Sequence, residues 1–265
     1  MQSLHPDKVK TFTIGMEDEK YNEAVYAKEI AAHLGTEHTE LYITEEDARG
    51  VIPKIPFIFG EPFADSSQIP TYLVSRMTRQ HVTVSLSGDG GDELFCGYNS
   101  YASVDRIWGK MKNVPYGIRK LASELVLHSP LSNKEIYRVK GTLLGAWGAS
   151  DLYRLSMERE PLIKDITLSR KEIPYKYTEY DPGFLKETNH NIMLMDMLMY
   201  HPDDILVKVD RTAMAVSLET RVPMLDKDVV EFAWTLPVEF ERQNGVGKRI
   251  LRDVLYRYVP KEMME

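Results

Sequence analysis

Three carboxylates and three glycines lie close together in residues 87–93, whose sequence is SGDGGDE. Glycines let the backbone approach a bound group, and successive backbone N–H groups can hold an anion. Asp89, Asp92 and Glu93 would repel a bare phosphate, so the loop requires either a hard cation or a carboxylate that acts as a base. Mg²⁺ suits it, because this ion takes one or two carboxylates together with phosphate oxygens and waters. The alternative is an acidic turn whose glycines only permit tight bends.

The segments around this loop predict an α/β fold with a parallel sheet. Residues 81–86 (HVTVSL) are rich in β-branched side chains and predict a buried strand whose carboxyl end opens into the loop. Residues 9–14 and 36–43 alternate polar and apolar side chains as strands do, with Gly15 ending the first. Helices are predicted between the strands: over 24–34, between Asn22 and Gly35; after Thr44 and Asp47; and over 69–79. This alternation favours right-handed crossovers.

Helical spacing dominates the second half of the chain. Apolar residues recur with this spacing in three segments separated by prolines, at 107–127, 135–144 and 152–157. Residues 191–200 are rich in methionine and leucine, which is more typical of a packed core helix than of a cofactor site. The chain therefore divides into an α/β portion over 1–100 and a mainly helical portion over 101–265.

A polar segment at 61–67 (EPFADSS) precedes the third predicted helix and has two interpretations. Asp65, Ser66 and Ser67 are residue types that cap helices. The positive end of that helix could equally receive a carboxylate or a phosphate. The segment is therefore a candidate for substrate contact, with capping as the alternative.

Two cationic segments near the carboxyl end also have two interpretations. Within residues 201–211, helical spacing brings Lys208 and Arg211 near Asp204, which suits internal ion pairs or a ligand role. Lys248 follows a glycine at the predicted start of the last helix, without the Ser or Thr of a Walker loop. It could neutralise a phosphate or belong to a solvated basic helix.

Composition excludes several classes of protein. The 265 residues carry a formal net charge of −7, which argues against a nucleic-acid-binding surface. Cys96 is the one cysteine, so an intrachain disulfide is excluded, and zinc-ligand spacing is absent. No run of about 18 apolar residues predicts a membrane span, and the first ten residues lack the apolar core of a secretion signal. A cytoplasmic location and an oxygen-bound metal are the resulting expectations.

Six motifs occur in order along nearly the whole chain: TFTIG at 11–15, EPFADSS at 61–67, LSGDGGDELF at 86–95, PDDILVKVDR at 202–211, MAVSLETRVPMLD at 214–226 and GKRILR at 247–252. Together they resemble the synthetase domain of glutamine-dependent asparagine synthetases, within the ATP-pyrophosphatase group that includes β-lactam synthetase. The resemblance implies an adenine nucleotide alpha hydrolase-like core. Residues 1–100 would then form a partial α/β nucleotide-binding core, and residues 101–265 the helical portion of the same synthetase domain. The resemblance also implies a two-step reaction: aspartate attacks the α-phosphorus of ATP and releases pyrophosphate, and ammonia converts the acyl-adenylate to asparagine and AMP.

The resemblance also implies roles for individual residues. Asp92 would bind Mg²⁺ that bridges ATP phosphates, and Asp89 would take a proton from the attacking ammonia. Ser87 and Gly88 would line the nucleotide, Ile14 would lie by the adenine, and Lys248 would meet the charge of the α-phosphate or pyrophosphate. Lys208, Asp210 and Arg211 would form an ion-paired wall, with Asp65 and Ser66 as further substrate or wall candidates. Glu93 receives no role.

Two features of the family do not occur in these 265 residues: a Ser-Gly-Gly-x-Asp-Ser pyrophosphate loop, and a glutaminase domain with an amino-terminal cysteine. We expect both upstream of Met1, which would make the chain a fragment. Since removing one oxyanion donor costs about 2.7 to 4 kcal/mol of barrier, the fragment alone is predicted to be nearly inactive. A missing central strand would expose a sheet edge and invite pairing with another chain, and a homodimer is the expected form of this pairing. A related amidotransferase for another carboxylate and a non-catalytic remnant are the alternatives.

Overall fold

The computed structural model describes residues 1–16, 22–157 and 185–264. The strands are β1 Lys10–Met16, β2 Glu37–Ile43, β3 Val84–Leu86 and β4 Glu219–Arg221. The helices of the first half are α1 Ala24–Leu34, α2 Glu45–Val51, α3 Ile55–Phe59, α4 Gln68–Arg79, α5 Gly91–Leu94, α6 Asn99–Met111 and α7 Tyr116–Leu127. Those of the second half are α8 Glu135–Leu144, α9 Ala149–Met157, α10 Thr188–Leu198, α11 Val207–Met214, α12 Lys227–Ala233, α13 Val238–Glu241 and α14 Arg249–Leu255. A π-helical turn, His201–Leu206, precedes α11.

The described strands form two parallel pairs, β1 with β2 and β3 with β4, which confirms the predicted α/β fold with parallel strands. Two details differ from the prediction. Gly15 does not end β1 but lies opposite Tyr42 inside the pair, where a Cβ on Gly15 would lie 2.5 Å from the Tyr42 ring. The β3 strand is shorter than residues 81–86 and is not buried as predicted, since Val84 and Leu86 are 43% and 50% exposed. Its partner β4 was not predicted because three residues are too few to show an alternating pattern.

The local signals for the first helices are confirmed. The Asn22 Oδ1 accepts a hydrogen bond from the Ala24 N–H at the start of α1, and Gly35 ends the helix with φ 72°. Thr44 and Asp47 form a reciprocal capping box at the start of α2. At α4 the predicted cap is wrong in detail, because Ser67 occupies the cap position without a side-chain bond to the helix.

The described chain divides into two compact units. Unit 1 comprises Met1–Gly90, His201–Glu231 and Ile250–Glu265, and unit 2 comprises Gly91–Tyr200 and Phe232–Arg249. The core of unit 1 is built on Val51, Tyr72 and Leu73. That of unit 2 is larger, and Met193 and Met195 lie in it, as predicted for the methionine-rich segment. The assignment of 1–100 and 101–265 to one synthetase domain remains a prediction.

Both parallel pairs belong to unit 1, and residues of both pairs line a shared cavity of about 580 Å³. Thr11 and Phe12 of β1 and Val84 and Leu86 of β3 face this cavity. Each of these two strands has one strand neighbour among the described residues. Across the described ranges, no helix combines the length and apolar character needed to cross a membrane.

Candidate active site

The glycine loop begins in unit 1, at the carboxyl end of β3. The Ser87 backbone N–H donates to the Arg221 carbonyl at 3.0 Å, which extends the pairing with β4 by one residue. The Ser87 hydroxyl donates to Asp89 Oδ2 at 2.7 Å, so the serine orients the predicted base. Gly90 requires glycine, because its φ is 83° and a Cβ would lie 2.9 Å from Leu225. Gly88, by contrast, has open space where a Cβ would stand.

Lys208 forms the first of two lysine–carboxylate pairs, also within unit 1. Its Nζ donates to Asp65 Oδ2 at 2.5 Å and to Ser67 Oγ at 2.7 Å. The Ser67 hydroxyl and backbone N–H both donate to Asp65 Oδ1 at 2.8 Å. Sequence spacing predicted an ion pair of Lys208 with Asp204, but the partner found is Asp65, 143 residues away. The 61–67 segment and α11 are therefore joined by a cation.

Two carboxyl groups beside Lys208 have pKa values shifted in opposite directions. Burial opposes the ionised form of Asp65, yet hydrogen bonds from Lys208 and Ser67 lower its pKa to about 2. Burial first, then the negative charge of Asp65 and a side-chain hydrogen bond with Asp65, raise the pKa of Asp204 to about 6. The sequence offered Asp204 only as an ion-pair partner. Its contact with Asp65 joins segments that are far apart in the chain, so no sequence pattern indicates it.

Lys248 and Asp92 form the second pair, within unit 2. Lys248 Nζ lies 2.7 Å from Asp92 Oδ2, and both side chains are 35% exposed. Lys248 has a left-handed backbone with φ 57°, an unusual conformation for a side chain of this kind. Its N–H donates to the Phe95 carbonyl at 2.9 Å, and the Gly97 N–H donates to the Asp92 carbonyl at 2.8 Å.

Two glycines let these segments meet. A Cβ on Gly97 would lie 2.1 Å from Asp92 Oδ1 and 2.4 Å from Lys248 Cε. A Cβ on Gly247 would lie 2.2 Å from the Cys96 carbonyl oxygen. Real Cβ atoms do not approach so closely, so both positions require glycine for the Asp92–Lys248 pair to form. Gly247 belongs to the motif at 247–252 and Gly97 lies outside the six motifs, and the close approach of either glycine was not predicted.

Glu93, which received no role from the sequence, is buried in unit 2. Its buried carboxylate accepts a hydrogen bond from the Tyr98 hydroxyl at 2.7 Å. Burial and this hydrogen bond raise the pKa of Tyr98 above its ordinary range. A second buried carboxylate, Asp196, accepts from Tyr101 at 2.5 Å and from Tyr153 at 2.8 Å. The sequence identified Glu93 without a role and did not identify Asp196, because the tyrosine partners of both carboxylates become apparent only from side-chain contacts in the folded chain.

The family model described as asparagine synthase matches residues 1–265. The chain belongs to the asparagine synthase family. This confirms the resemblance, and with it the adenine nucleotide alpha hydrolase-like fold class.

Three curated relatives illustrate the similarity to asparagine synthetases. Asparagine synthetase [glutamine-hydrolyzing] 1 of Bacillus subtilis is 33% identical over 99% of this chain and 42% of its own length. A putative asparagine synthetase [glutamine-hydrolyzing] 2 of Methanocaldococcus jannaschii is 34% identical over 78% of this chain and 40% of its own length. A putative asparagine synthetase [glutamine-hydrolyzing] of Mycobacterium tuberculosis is 30% identical over 98% of this chain and 40% of its own length. The chain thus spans about two fifths of these relatives.

The remaining predicted site residues of this asparagine synthase chain lie in unit 1. Ile14 packs against the Val51 and Tyr72 core and also lines a cavity of about 850 Å³. Ser66, Asp210 and Arg211 are exposed. The structure therefore brings together Ser87 with Asp89, Asp65 with Lys208, and Asp92 with Lys248. Their roles toward ATP and aspartate remain predictions.

The donor set limits which metal this chain could hold. Over the ranges that the structure describes, no three His, Cys, Asp or Glu side chains gather into a metal-binding group. Mg²⁺ needs only one or two protein carboxylates when phosphate oxygens and waters complete its shell. Asp92, with one oxygen on Lys248 and partial exposure, fits a metal shared with a nucleotide rather than one held by protein alone.

Proposed function

We propose that this chain carries the synthetase portion of a ligase that makes asparagine from aspartate, ATP and ammonia. The observation that carries the proposal is the Asp92–Lys248 pair, which two glycines bring together at 2.7 Å inside a chain of the asparagine synthase family. An ammonium beside a carboxylate suits a site where anionic phosphates and a divalent cation must be held together. The names of the relatives support asparagine as the product.

In the proposed reaction, Lys248 stabilises negative charge and Asp89 accepts a proton. The aspartate side-chain carboxylate attacks the α-phosphorus of ATP, the bond to the β-phosphate oxygen breaks, and pyrophosphate leaves. Lys248 stabilises the negative charge that develops on the transferred group and the leaving group. Ammonia then attacks the acyl carbon, Asp89 accepts the proton from the nitrogen, and AMP leaves. Ser87 holds Asp89 in place through its 2.7 Å hydrogen bond.

Asp92 is the residue that would hold Mg²⁺, with phosphate oxygens of ATP completing the shell. The metal would neutralise phosphate charge and so favour departure of pyrophosphate. Ser87, Gly88 and Ile14 are proposed to line the nucleotide, and Asp65 and Ser66 to lie toward the acceptor. Glutamine is the proposed source of ammonia in the full-length protein. The cytoplasm is the proposed location of the protein. Self-association as a homodimer stays a prediction.

The test is AMP formation by the intact gene product, with aspartate as acceptor and ammonia or glutamine as nitrogen donor. We expect AMP and asparagine in equal amounts. Lys248→Ala should lower kcat about 10²- to 10³-fold, since it removes one preorganised donor. Lys110→Ala, an exposed lysine of unit 2, is the matched control and should be unaffected. AMP formation that requires a different carboxylic acid, or no AMP with any acceptor, would overturn the assignment.

A further inference from the structure

Asp65, Asp204 and Lys208 place two carboxyl groups and one ammonium in a single cluster of unit 1. Both oxygens of Asp65 are engaged, Oδ2 by Lys208 and Oδ1 twice by Ser67. The Lys208 and Asp65 side chains are only 11% and 17% exposed. The single cation is thus already committed to one of the two carboxyl groups.

Asp204 is the second carboxyl group, and its position is unusual. It lies in the π-helical turn His201–Leu206, one turn before Lys208, and such turns often mark functional positions. Its Oδ1 is buried and has no hydrogen-bond partner among the described residues. Asp65, from the segment before α4, and Lys208, from α11, are the charged groups that act on it.

The segment at 61–67 is joined to α11 by this cluster and to α3 by stacking of Phe63 on Phe59, with ring centroids 4.5 Å apart. Beyond the Asp65 contacts, the Gln68 Nε2 group donates to the Phe63 carbonyl at 3.1 Å and the Gln68 N–H to the Asp65 carbonyl at 3.2 Å. Ser66 at its tip is exposed. The Lys208 ammonium is the contact that ties the segment to α11 through side chains.

We propose that Asp204 is a positioning residue: when it carries a proton, it leaves the Lys208 ammonium to Asp65 and Ser67 and so keeps the 61–67 segment closed on α11. When Asp204 ionises, two partly buried carboxylates share one cation, and opening of the segment relieves the excess charge by hydrating them. The pH-dependent opening does not depend on the proposed function. Its consequence for acceptor binding rests on the proposed function, which places Asp65 and Ser66 toward the acceptor.

The direction of the pH dependence follows from linkage. The pKa of Asp204 is about 6 in the closed state, against 3.8 for an ordinary aspartate. The protonated form therefore favours closure, fully below about pH 4, and this contribution is lost as pH rises to about 6. Opening should increase by at most about tenfold per pH unit in this window, and should level off above it.

Hydrogen exchange of the intact chain without substrate tests the proposal. Exchange of 61–67, corrected for the intrinsic effect of pH, should rise several-fold between pH 4 and 6 in the wild type. Asp204→Asn should abolish this rise, and Asp228→Asn, an exposed carboxyl of unit 1, should preserve it. A rise that persists in Asp204→Asn, or a wild-type profile that is flat, would overturn the proposal.

A carboxyl ¹³C titration of the wild type by NMR is a second measurement that needs no variant. Asp204 should titrate near pH 6, whereas titration together with exposed aspartates would overturn the proposal. Neither measurement requires turnover, so failure of the proposed ligase activity leaves both results interpretable. In an active preparation, Asp204→Asn should change the pH profile of KM for the acceptor more than that of kcat.

Discussion

The two lysine–carboxylate pairs have similar geometry but different surroundings. Lys208 and Asp65 lie 2.5 Å apart with side chains 11% and 17% exposed, whereas Lys248 and Asp92 lie 2.7 Å apart with both 35% exposed. Lys208 also donates to Ser67, while Lys248 has a left-handed backbone. A buried, multiply bonded cation suits attachment of a segment. A partly exposed cation in an unusual backbone conformation suits contact with a ligand.

The largest loss of stability is expected at Gly247, because its backbone contact with Cys96 holds the Asp92–Lys248 pair together. Gly247→Ala would place a Cβ 2.2 Å from the Cys96 carbonyl oxygen, so the backbone must move. We expect a loss of about 3 kcal/mol in the free energy of unfolding and about 100-fold in AMP formation, because Lys248 is displaced. Urea unfolding and the AMP assay measure the two effects.

The matched control is Gly148→Ala, because a Cβ on Gly148 meets open space in the same unit. It should leave both quantities within experimental error. Equal behaviour of the two variants would show that the close approach of the glycine backbone does not hold the Asp92–Lys248 pair.

The next prediction separates the pairs directly by removing each cation. Lys208→Met should lower the free energy of unfolding by about 2 to 3 kcal/mol, since it leaves Asp65 buried without its cation. Lys248→Met should cost less than about 1 kcal/mol, because water can solvate Asp92 at 35% exposure. Activity should show the reverse ranking, with Lys248→Met the more damaging. Equal stability losses would remove the distinction between the pairs.

A smaller effect concerns the hydrogen bond between Tyr98 and Glu93, the residue that follows Asp92 in the chain. Tyr98→Phe removes the 2.7 Å hydrogen bond to buried Glu93 and should destabilise unit 2 by about 1 to 2 kcal/mol. Tyr137→Phe is the control, because that tyrosine is 38% exposed. Thermal unfolding followed by tyrosine and tryptophan fluorescence measures both. A neutral Tyr98→Phe would mean that the buried Glu93 is satisfied without the hydroxyl.

The smallest effect is the acid response of the buried pair. The pKa of Asp65 is lowered to about 2 from 3.8, so its stabilising contribution is complete above about pH 4 and lost as pH falls toward 2. Unfolding between pH 2 and 5 should therefore become less pH-dependent in Asp65→Asn. Asp228→Asn should retain the wild-type slope, and an unchanged slope in Asp65→Asn would contradict the low pKa.

The sequence predicted those helices and strands whose signals lie within a few neighbouring residues. Asn22 with Gly35, and Thr44 with Asp47, were sufficient to place α1 and α2, because capping depends on residues within one helical turn. The strand at 9–14 was recognised from alternation. The β4 strand was missed, since it forms through pairing with β3 rather than through its own pattern.

The sequence identified the residues of the candidate site but not which carboxylate pairs with which lysine. Asp65, Asp92, Lys208 and Lys248 were each identified from motifs. The members of the two pairs lie 143 and 156 residues apart in the chain, whereas helical spacing offered Asp204 as one candidate ion-pair partner of Lys208. A pattern with a period of a few residues contains no information on such distant contacts.

The sequence by itself determined the family, the α/β class and the glycine-rich loop, because ordered motifs and local capping survive without knowledge of packing. The tertiary structure decided which carboxylate each lysine neutralises, and that Glu93 supports the interior while Asp92 meets Lys248. It also decided that Gly97 and Gly247 permit that meeting. These outcomes depend on burial and on contacts between distant segments, which set hydrogen bonding and pKa values only once the chain has folded.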